Sequence, residues 1–280
     1  MKSWLIYISS IAIFGTVAMF RRLIPLSSSV IAFSRGMIGA LFLIAFVRLS
    51  GHKPAGRLSA KNIALLAFTG ALIGINWILL FEAYNYTTIA AATLCYYMQP
   101  VIVIMLSPLI FKEKLTLRKL LCVAAAVIGM CFVSGASVSS MSGAKGILLA
   151  LGGAVLYASV VILNKKMPDI DTYEKTIIEL AAAALVLLPY LIPTGGLSFA
   201  GITVKAALLL LTMGLVHTGI AYAMYYGSLN NIKAQTASMF SYLDPVVTLI
   251  TSAVFFHEPM TALSIAGTVL ILGSAVMSEL

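Results

Sequence analysis

Polar residues in this chain come in short clusters, and the stretches between them are almost wholly apolar. Ten stretches approach or exceed the roughly 20 residues a helix needs to cross a bilayer. They run over 3–20, 30–49, 61–81, 88–110, 115–134, 144–163, 175–194, 204–226, 234–256 and 261–279. The connections are short and leave no room for a soluble domain. The pattern predicts an all-α membrane protein of ten transmembrane helices. Lys2 precedes the first apolar stretch without a small-residue cleavage site after it, so that span is expected to be retained.

The pattern is also written twice. Tyr97, Pro100, Val101, Ser107, Phe111, Glu113 and Thr116 return 145 residues later as Tyr242, Pro245, Val246, Ser252, Phe256, Glu258 and Thr261. The same offset pairs Gly74 with Gly219, Trp77 with Tyr222 and Phe81 with Tyr226. A half-length repeat in a very apolar chain is a mark of many secondary transporters. Each half, 1–135 and 144–280, is expected to hold five spans. Five is odd, so the second half must enter the membrane from the opposite side, giving two inverted five-helix repeats.

Composition supports the membrane reading: 61% of residues are hydrophobic and 10% charged, against about 25% charged in a soluble domain. The formal net charge of +9 is a topology signal rather than a nucleic-acid signal. With the N-terminus inside, thirteen of the 18 Lys and Arg fall in inner segments, four (Arg21, Arg22, Lys145, Lys205) in outer ones, and Arg35 within span 2. Basic loops stay cytoplasmic, so both termini are expected inside a bacterial-type plasma membrane. Cys95, Cys122 and Cys131 lie in predicted spans without metal or CxxC spacing. No metal or cofactor is expected.

Pro100 and Pro245 fall midway along spans 4 and 9. Proline removes a backbone donor and frees the carbonyl four residues earlier, here Tyr96 and Ser241. Two readings stand: plain structural kinks, or kinks flanking a central cavity. Glu113 and Glu258 each precede a threonine, Thr116 or Thr261, by three residues. The favoured reading is structural, with threonine and carboxylate serving the N-terminus of the following helix.

These residues carry a resemblance. Asn76-Trp77-x-x-x-Phe81-x-Ala83, Ala90-Ala91-Ala92, Pro100-Val101 and Lys112-Glu113-Lys114-Leu115-Thr116 resemble the EamA domain of the drug/metabolite transporter superfamily. Ala237, Pro245-Val246 and Glu258-Pro259-Met260-Thr261 repeat the pattern less fully. The resemblance covers nearly the whole chain as two units. It implies a ten-helix carrier with a central cavity and alternating access, often an exporter, for amino acids, other metabolites, nucleosides, vitamins or drugs. Where a tryptophan-glycine pair is expected in span 1, the chain has Phe14-Gly15, and the matching place in span 6 reads Tyr157-Ala158.

A charge at mid-bilayer costs about 2.5–3.5 kcal/mol even on the lenient insertion scale, so central polar residues are the candidates for function. Depth places Asp244, His217 and Gln99 near the midplane and Asn76 a little toward the outside, with Phe14, Tyr97, Tyr157 and Tyr242 in the same layer; the repeat partners Trp77 and Tyr222 join them. These ten are the expected substrate-binding set. Arg35, Glu82 and Glu179 are gating or ion-pair candidates. Depth argues against an Arg35–Glu179 pair, putting them roughly 15–20 Å apart along the membrane normal. It favours Arg35 with Glu82, and Glu179 with Lys233, Lys175 or Asn164, as latches or as static glue between helices. No P-loop is present. Protons could couple through Asp244 or His217, and facilitated diffusion fits equally well.

The expected function is secondary transport of a small organic metabolite, an amino acid or related compound, most simply by efflux. An uptake carrier for a nucleoside, vitamin or other metabolite is the alternative. Other classes are a non-transporting receptor and an intramembrane enzyme. Asp244 has no central carboxylate partner and His257-Glu258 lacks the second histidine of HExxH, so no enzyme is expected. The sequence gives no oligomeric state and implies no nucleic-acid partner.

Overall fold

The structure, a computed structural model, describes residues 3–52, 58–87, 89–134, 143–167, 170–193, 196–257 and 260–279. Within them it is all-helical, without a strand. The α-helices, in chain order, are α1 Ser3–Gly15, α2 Val17–Leu23, α3 Ser28–Ser50, α4 Ala60–Tyr86, α5 Ile89–Tyr96, α6 Gln99–Phe111 and α7 Leu117–Ser134. After these come α8 Ala144–Lys166, α9 Thr172–Leu191 and α10 Val204–Gly214. A π-helical turn at Leu215–Ile220 leads into α11 Ala221–Leu229, then α12 Ala234–Ser241, α13 Leu243–Phe256 and α14 Ala262–Glu279.

Polar side chains set many of the helix starts. Ser27, Ser59 and Thr203 accept from the backbone N–H three residues on, at 3.2–3.3 Å, satisfying a donor that has no partner inside the helix. Asp171 accepts from Tyr173 and Glu174 at 3.0 and 3.2 Å. Thr116 and Thr261 cap α7 and α14 as the sequence predicts, from Lys119 at 3.3 Å and Ser264 at 3.1 Å.

Among the described residues, seven helical rods are long and apolar enough to cross a membrane: Ser3–Leu23, Ser28–Ser50, Ala60–Tyr86, Ala92–Phe111, Ala144–Lys166, Val204–Leu229 and Ala234–Phe256. The three remaining predicted spans correspond to α7, α9 and α14, of 18, 20 and 18 residues. At about 1.5 Å per residue these reach about 27–30 Å.

The sequence repeat reappears in the backbone. Helix α7 moved by 145 residues gives the bounds of α14, and α5 gives those of α12. Lys112 and His257, which end α6 and α13, are the two described non-glycine residues with positive φ, at 57° and 52°. Contacts are reciprocal as well: α4 packs on α8 as α11 packs on α1, α4 on α9 as α10 and the π turn pack on α3, and α7 on α14.

Close approach depends on glycine. A Cβ on Gly74 would lie 2.6 Å from the Ala183 carbonyl oxygen, and one on Gly70 2.8 Å from Glu179 Cα. The Gly70–Gly74 spacing, a weak signal in isolation, is therefore what seats α4 on α9.

Two expectations change. Pro100 and Pro245 are not mid-helix kinks. Spans 4 and 9 are each two helices, broken at Tyr97–Met98 and at Tyr242, with the prolines in the first turn of α6 and α13. There an N–H has no partner to lose. The second concerns Arg35 and Glu179. Helices α3 and α9 cross at Gly36, where a Cβ would sit 3.6 Å from the Leu180 carbonyl oxygen. Arg35 and Glu179 each adjoin that crossing in sequence and do not lie far apart in depth. Counting residues from span ends missed that these helices meet near repeat-equivalent positions.

Candidate functional site

The helix breaks gather side chains around a cavity of about 270 Å³. The α5/α6 break contributes Tyr96, Tyr97 and Gln99, and the α12/α13 break Ser241 and Asp244. Phe14 comes from α1, Arg35 from α3, Trp77 from α4, Tyr157 from α8 and Tyr222 from α11. Seven of the ten predicted binding residues thus share one cavity.

Its walls are aromatic. Tyr96 stacks on Tyr157 with ring centres 6.0 Å apart and planes 10° from parallel. Phe14 meets the edge of Tyr222 at 5.0 Å. Two opposite charges face the space. The Tyr97 hydroxyl donates to Asp244 Oδ2 at 2.7 Å, and the Arg35 guanidinium carbon lies 5.1 Å from the centre of the Trp77 ring. Arg35 Nε is buried without a hydrogen-bond partner. Among the described residues no ion pair joins Arg35 to Asp244; His52 Nε2 lies 2.7 Å from Asp171 Oδ2 elsewhere in the bundle. Tyr97 holds one carboxylate oxygen and Trp77 one face of the guanidinium, and neither charge neutralises the other.

Three predicted residues lie outside the lining. Asn76 is 1% exposed; its amide donates to the Gly153 carbonyl at 2.7 Å and its oxygen accepts from the Tyr96 hydroxyl at 3.1 Å. It positions Tyr96 from behind. His217, in the π turn, meets Thr16 Oγ1 at 2.8 Å across the α1/α2 break. Tyr242 is buried among Ile104, Cys122 and Val246. Rotation about the helix axis turns all three away from the space.

Four polar lining residues escaped the predicted set: Tyr96, Ser241, Arg21 and Ser28. The repeat held a usable signal for two of them. Tyr96 and Ser241 are partners at the 145 offset, as are Trp77 and Tyr222, and Gln99 and Asp244. Both members of all three pairs line the cavity.

The cavity reaches the end of the bundle that carries Arg21 and Ser28. Contacts between the two halves of the chain close the opposite end. Glu113 Oε1 and Oε2 accept from the backbone N–H groups of Ala234 and Gln235 at 2.7 and 3.1 Å. Glu113 therefore caps α12, across the bundle, rather than the following α7. Its carboxylate satisfies two donors at a positive helix end. Lys119 Nζ donates to Gln235 Oε1 at 2.8 Å and Gln235 Nε2 to Ser107 at 2.7 Å. Glu258, its repeat partner, lies outside the described residues.

The predicted Arg35–Glu82 pair does not form. Glu82 instead accepts from the Tyr190 hydroxyl and from Asn85, while Arg35 is taken by Trp77. Glu179 pairs with Asn164, one of its expected partners, whose amide donates to Glu179 Oε1 at 2.9 Å. Among the described residues no group of three or more His, Cys, Asp or Glu could hold a metal ion.

The arrangement can enclose a small, partly aromatic solute carrying charge. Comparisons place it among known proteins. The chain is 26% identical to the uncharacterized transporter YxxF of Bacillus subtilis, over 88% of this chain and 79% of that one. It is 26% identical to Protein RarD of Salmonella typhimurium, over 78% of this chain and 73% of that one. A solved crystal structure superposes with a TM-score of 0.84 at 19% identity, covering 99% of this chain and 96% of the other, which shows the fold alone. The model of the EamA-like transporter family matches twice, at residues 2–135 and 144–279. The chain is an integral membrane transporter and belongs to the EamA-like transporter family of the drug/metabolite transporter superfamily.

Proposed function

We propose that the chain is a ten-helix secondary carrier built as two oppositely oriented five-helix units, 1–135 and 144–280, with both termini cytoplasmic. It works by alternating access and exports small organic metabolites, amino acids or related compounds. One observation carries the substrate reading: an aromatic cavity presents Arg35 and Asp244 unpaired with each other. A solute bearing both an acid and an amine answers both charges, and rings answer the walls. The lysine and arginine bias supports the orientation, which makes the open end outer and the Glu113 seal cytoplasmic. Export is the direction suggested by the family resemblance; for an uncoupled carrier gradients decide it. If protons are coupled, Asp244 is the group in the cavity that would carry one.

The test is a thermal-shift screen of purified protein against an amino-acid library, followed by counterflow in sealed liposomes. A ligand at about 100 times its Kd stabilises by about 2.7 kcal/mol. Asp244→Asn keeps the shape of the side chain and should weaken the responding ligand at least tenfold. An unchanged shift removes Asp244 from the site. Failure of every organic solute to exchange would overturn the carrier reading.

A further inference from the structure

We propose that the cavity selects an amino acid bearing a second acidic group, a solute of one net negative charge, and that Arg21 is the residue that reads that group. The inference rests on the transport reading and narrows its substrate class. The acid and the amine of any amino acid answer Arg35 and Asp244. A second guanidinium is then left over.

The charged side chains that line the cavity are Arg21, Arg35 and Asp244, two positive and one negative. The Tyr97 hydroxyl donates to Asp244, a contact that suits an ionised carboxylate, which only accepts. Charges behind the lining do not cancel the excess. Lys175 and Glu179 have opposite signs and act on each other. Glu82 lies outside the lining and is held by Tyr190 and Asn85. His217 meets Thr16 and feels Arg35; a proton gained there would add to the excess. A charge without a counter-charge at membrane depth is costly, and a net-negative solute removes that cost as it binds. A cleft lined by one sign of charge between low-dielectric walls also concentrates the opposite sign.

The fold aims Arg21 without consuming it. Its Nε and Nη2 donate to Ser28 Oγ at 3.4 and 3.2 Å, and Nη1 donates to the Ile24 carbonyl at 3.2 Å. These lengths fall at or beyond the long end of the usual N–H···O range of about 2.7–3.2 Å. Both acceptors are neutral, and a guanidinium has five N–H groups, so donors and the whole charge remain. Among the described residues no ion pair involves Arg21. Ser28, which holds Arg21, precedes Arg35 by seven residues on α3, about 10 Å along the helix axis. An amino acid with an acid on its side chain can set one carboxylate on each guanidinium. A neutral one leaves Arg21 unanswered.

The experiment titrates full-length protein in detergent, at fixed ionic strength, with probes paired by shape and differing in charge. The pairs are glutamate and glutamine, aspartate and asparagine, and the ring-bearing 4-carboxyphenylalanine and its 4-carboxamide. At least one acid should raise the melting temperature at a concentration at least ten times lower than its amide does, and counterflow in sealed liposomes should keep that order. Within each variant the acid-to-amide ratio is read, so a loss common to both members cancels. Arg21→Gln should bring the ratio within twofold of one. Arg21→Lys, which returns the charge, should restore at least fivefold. Arg21→Glu should make lysine act at a lower concentration than glutamine. A role confined to tying Ser28 and Ile24 would lower the melting temperature of the unliganded variants and leave the ratio as in the parent, and that result overturns the assignment of Arg21. Amides that match their acids in the parent, or no response to any of the six probes, overturn the net-charge reading; exchange of labelled neutral amino acids alongside either result leaves the transport reading standing. An equal shift from chloride alone gives the excess charge to an inorganic anion and overturns the proposal. Acid preference in the thermal shift without exchange of any solute strikes the transport reading alone.

Discussion

Tyr97 and Asn76 illustrate two ways a residue serves the cavity. Tyr97 touches the space and donates to Asp244 at 2.7 Å. Tyr97→Phe removes one charge-assisted bond, worth about 1.5–3 kcal/mol at most, but leaves Asp244 reachable by solute or water. The expected result is a threefold to tenfold change in ligand affinity, read by thermal shift, with the unliganded melting temperature nearly unchanged. Asn76 is walled in between Gly153 and Tyr96. Asn76→Ala leaves a buried carbonyl and a hydroxyl without partners and should cost about 1–3 kcal/mol of stability. A denaturation midpoint in detergent checks it; a variant as stable as the parent would show that water replaces the amide. Sequence gave both residues nearly one depth, but their roles depend on which way each faces.

At the scale of helices, the broken spans matter most. A proline inside a continuous helix costs about 3 kcal/mol relative to alanine, so replacing it would stabilise the protein. In the first turn of α6, Pro100 incurs no such penalty, and Pro100→Ala should shift stability by less than about 1 kcal/mol. A large gain in melting temperature would mean a continuous kinked span. The α4–α9 contact makes the opposite demand. Gly74→Ala places a methyl where 2.6 Å separates it from the Ala183 carbonyl oxygen, and overpacking of that kind costs about 1–3 kcal/mol. The melting temperature should fall, and an unchanged value would show the helices free to separate. The sequence carried the glycine spacing and both prolines. Their effects were not legible, because a proline reads alike in a kink and in a first turn, and glycine spacing gains meaning only when a second helix sits on it.

Over the whole molecule, the decisive feature is that one end of the cavity is closed by contacts between the two halves. Glu113 holds the start of α12 through two backbone donors, and Lys119 and Ser107 hold Gln235. Glu113→Ala should loosen the seal by about 1–3 kcal/mol. In sealed vesicles it should speed labelling of the cavity-lining Ser241→Cys by a membrane-impermeant thiol reagent from that side. No change in rate would mean that other contacts keep the end shut. Labelling of the two termini tests the assembly itself: with ten spans both lie on one side, and opposite sides would remove the inverted repeat.

The apolar run lengths, the 145-residue offset and the basic-residue bias determined by themselves that this chain lives in lipid, is written twice, and keeps its scarce charges for a purpose. Those conclusions need only the cost of burying polar groups in hydrocarbon and the length of a helix. The tertiary structure alone decided which central residues meet. Depth along a span is one coordinate, whereas a binding site also requires the rotation of each helix and the identity of its neighbour. That is why Asp244 and Gln99 face the cavity while His217 and Tyr242 turn away, and why Arg35 and Glu179, placed far apart by counting, adjoin the same helix crossing.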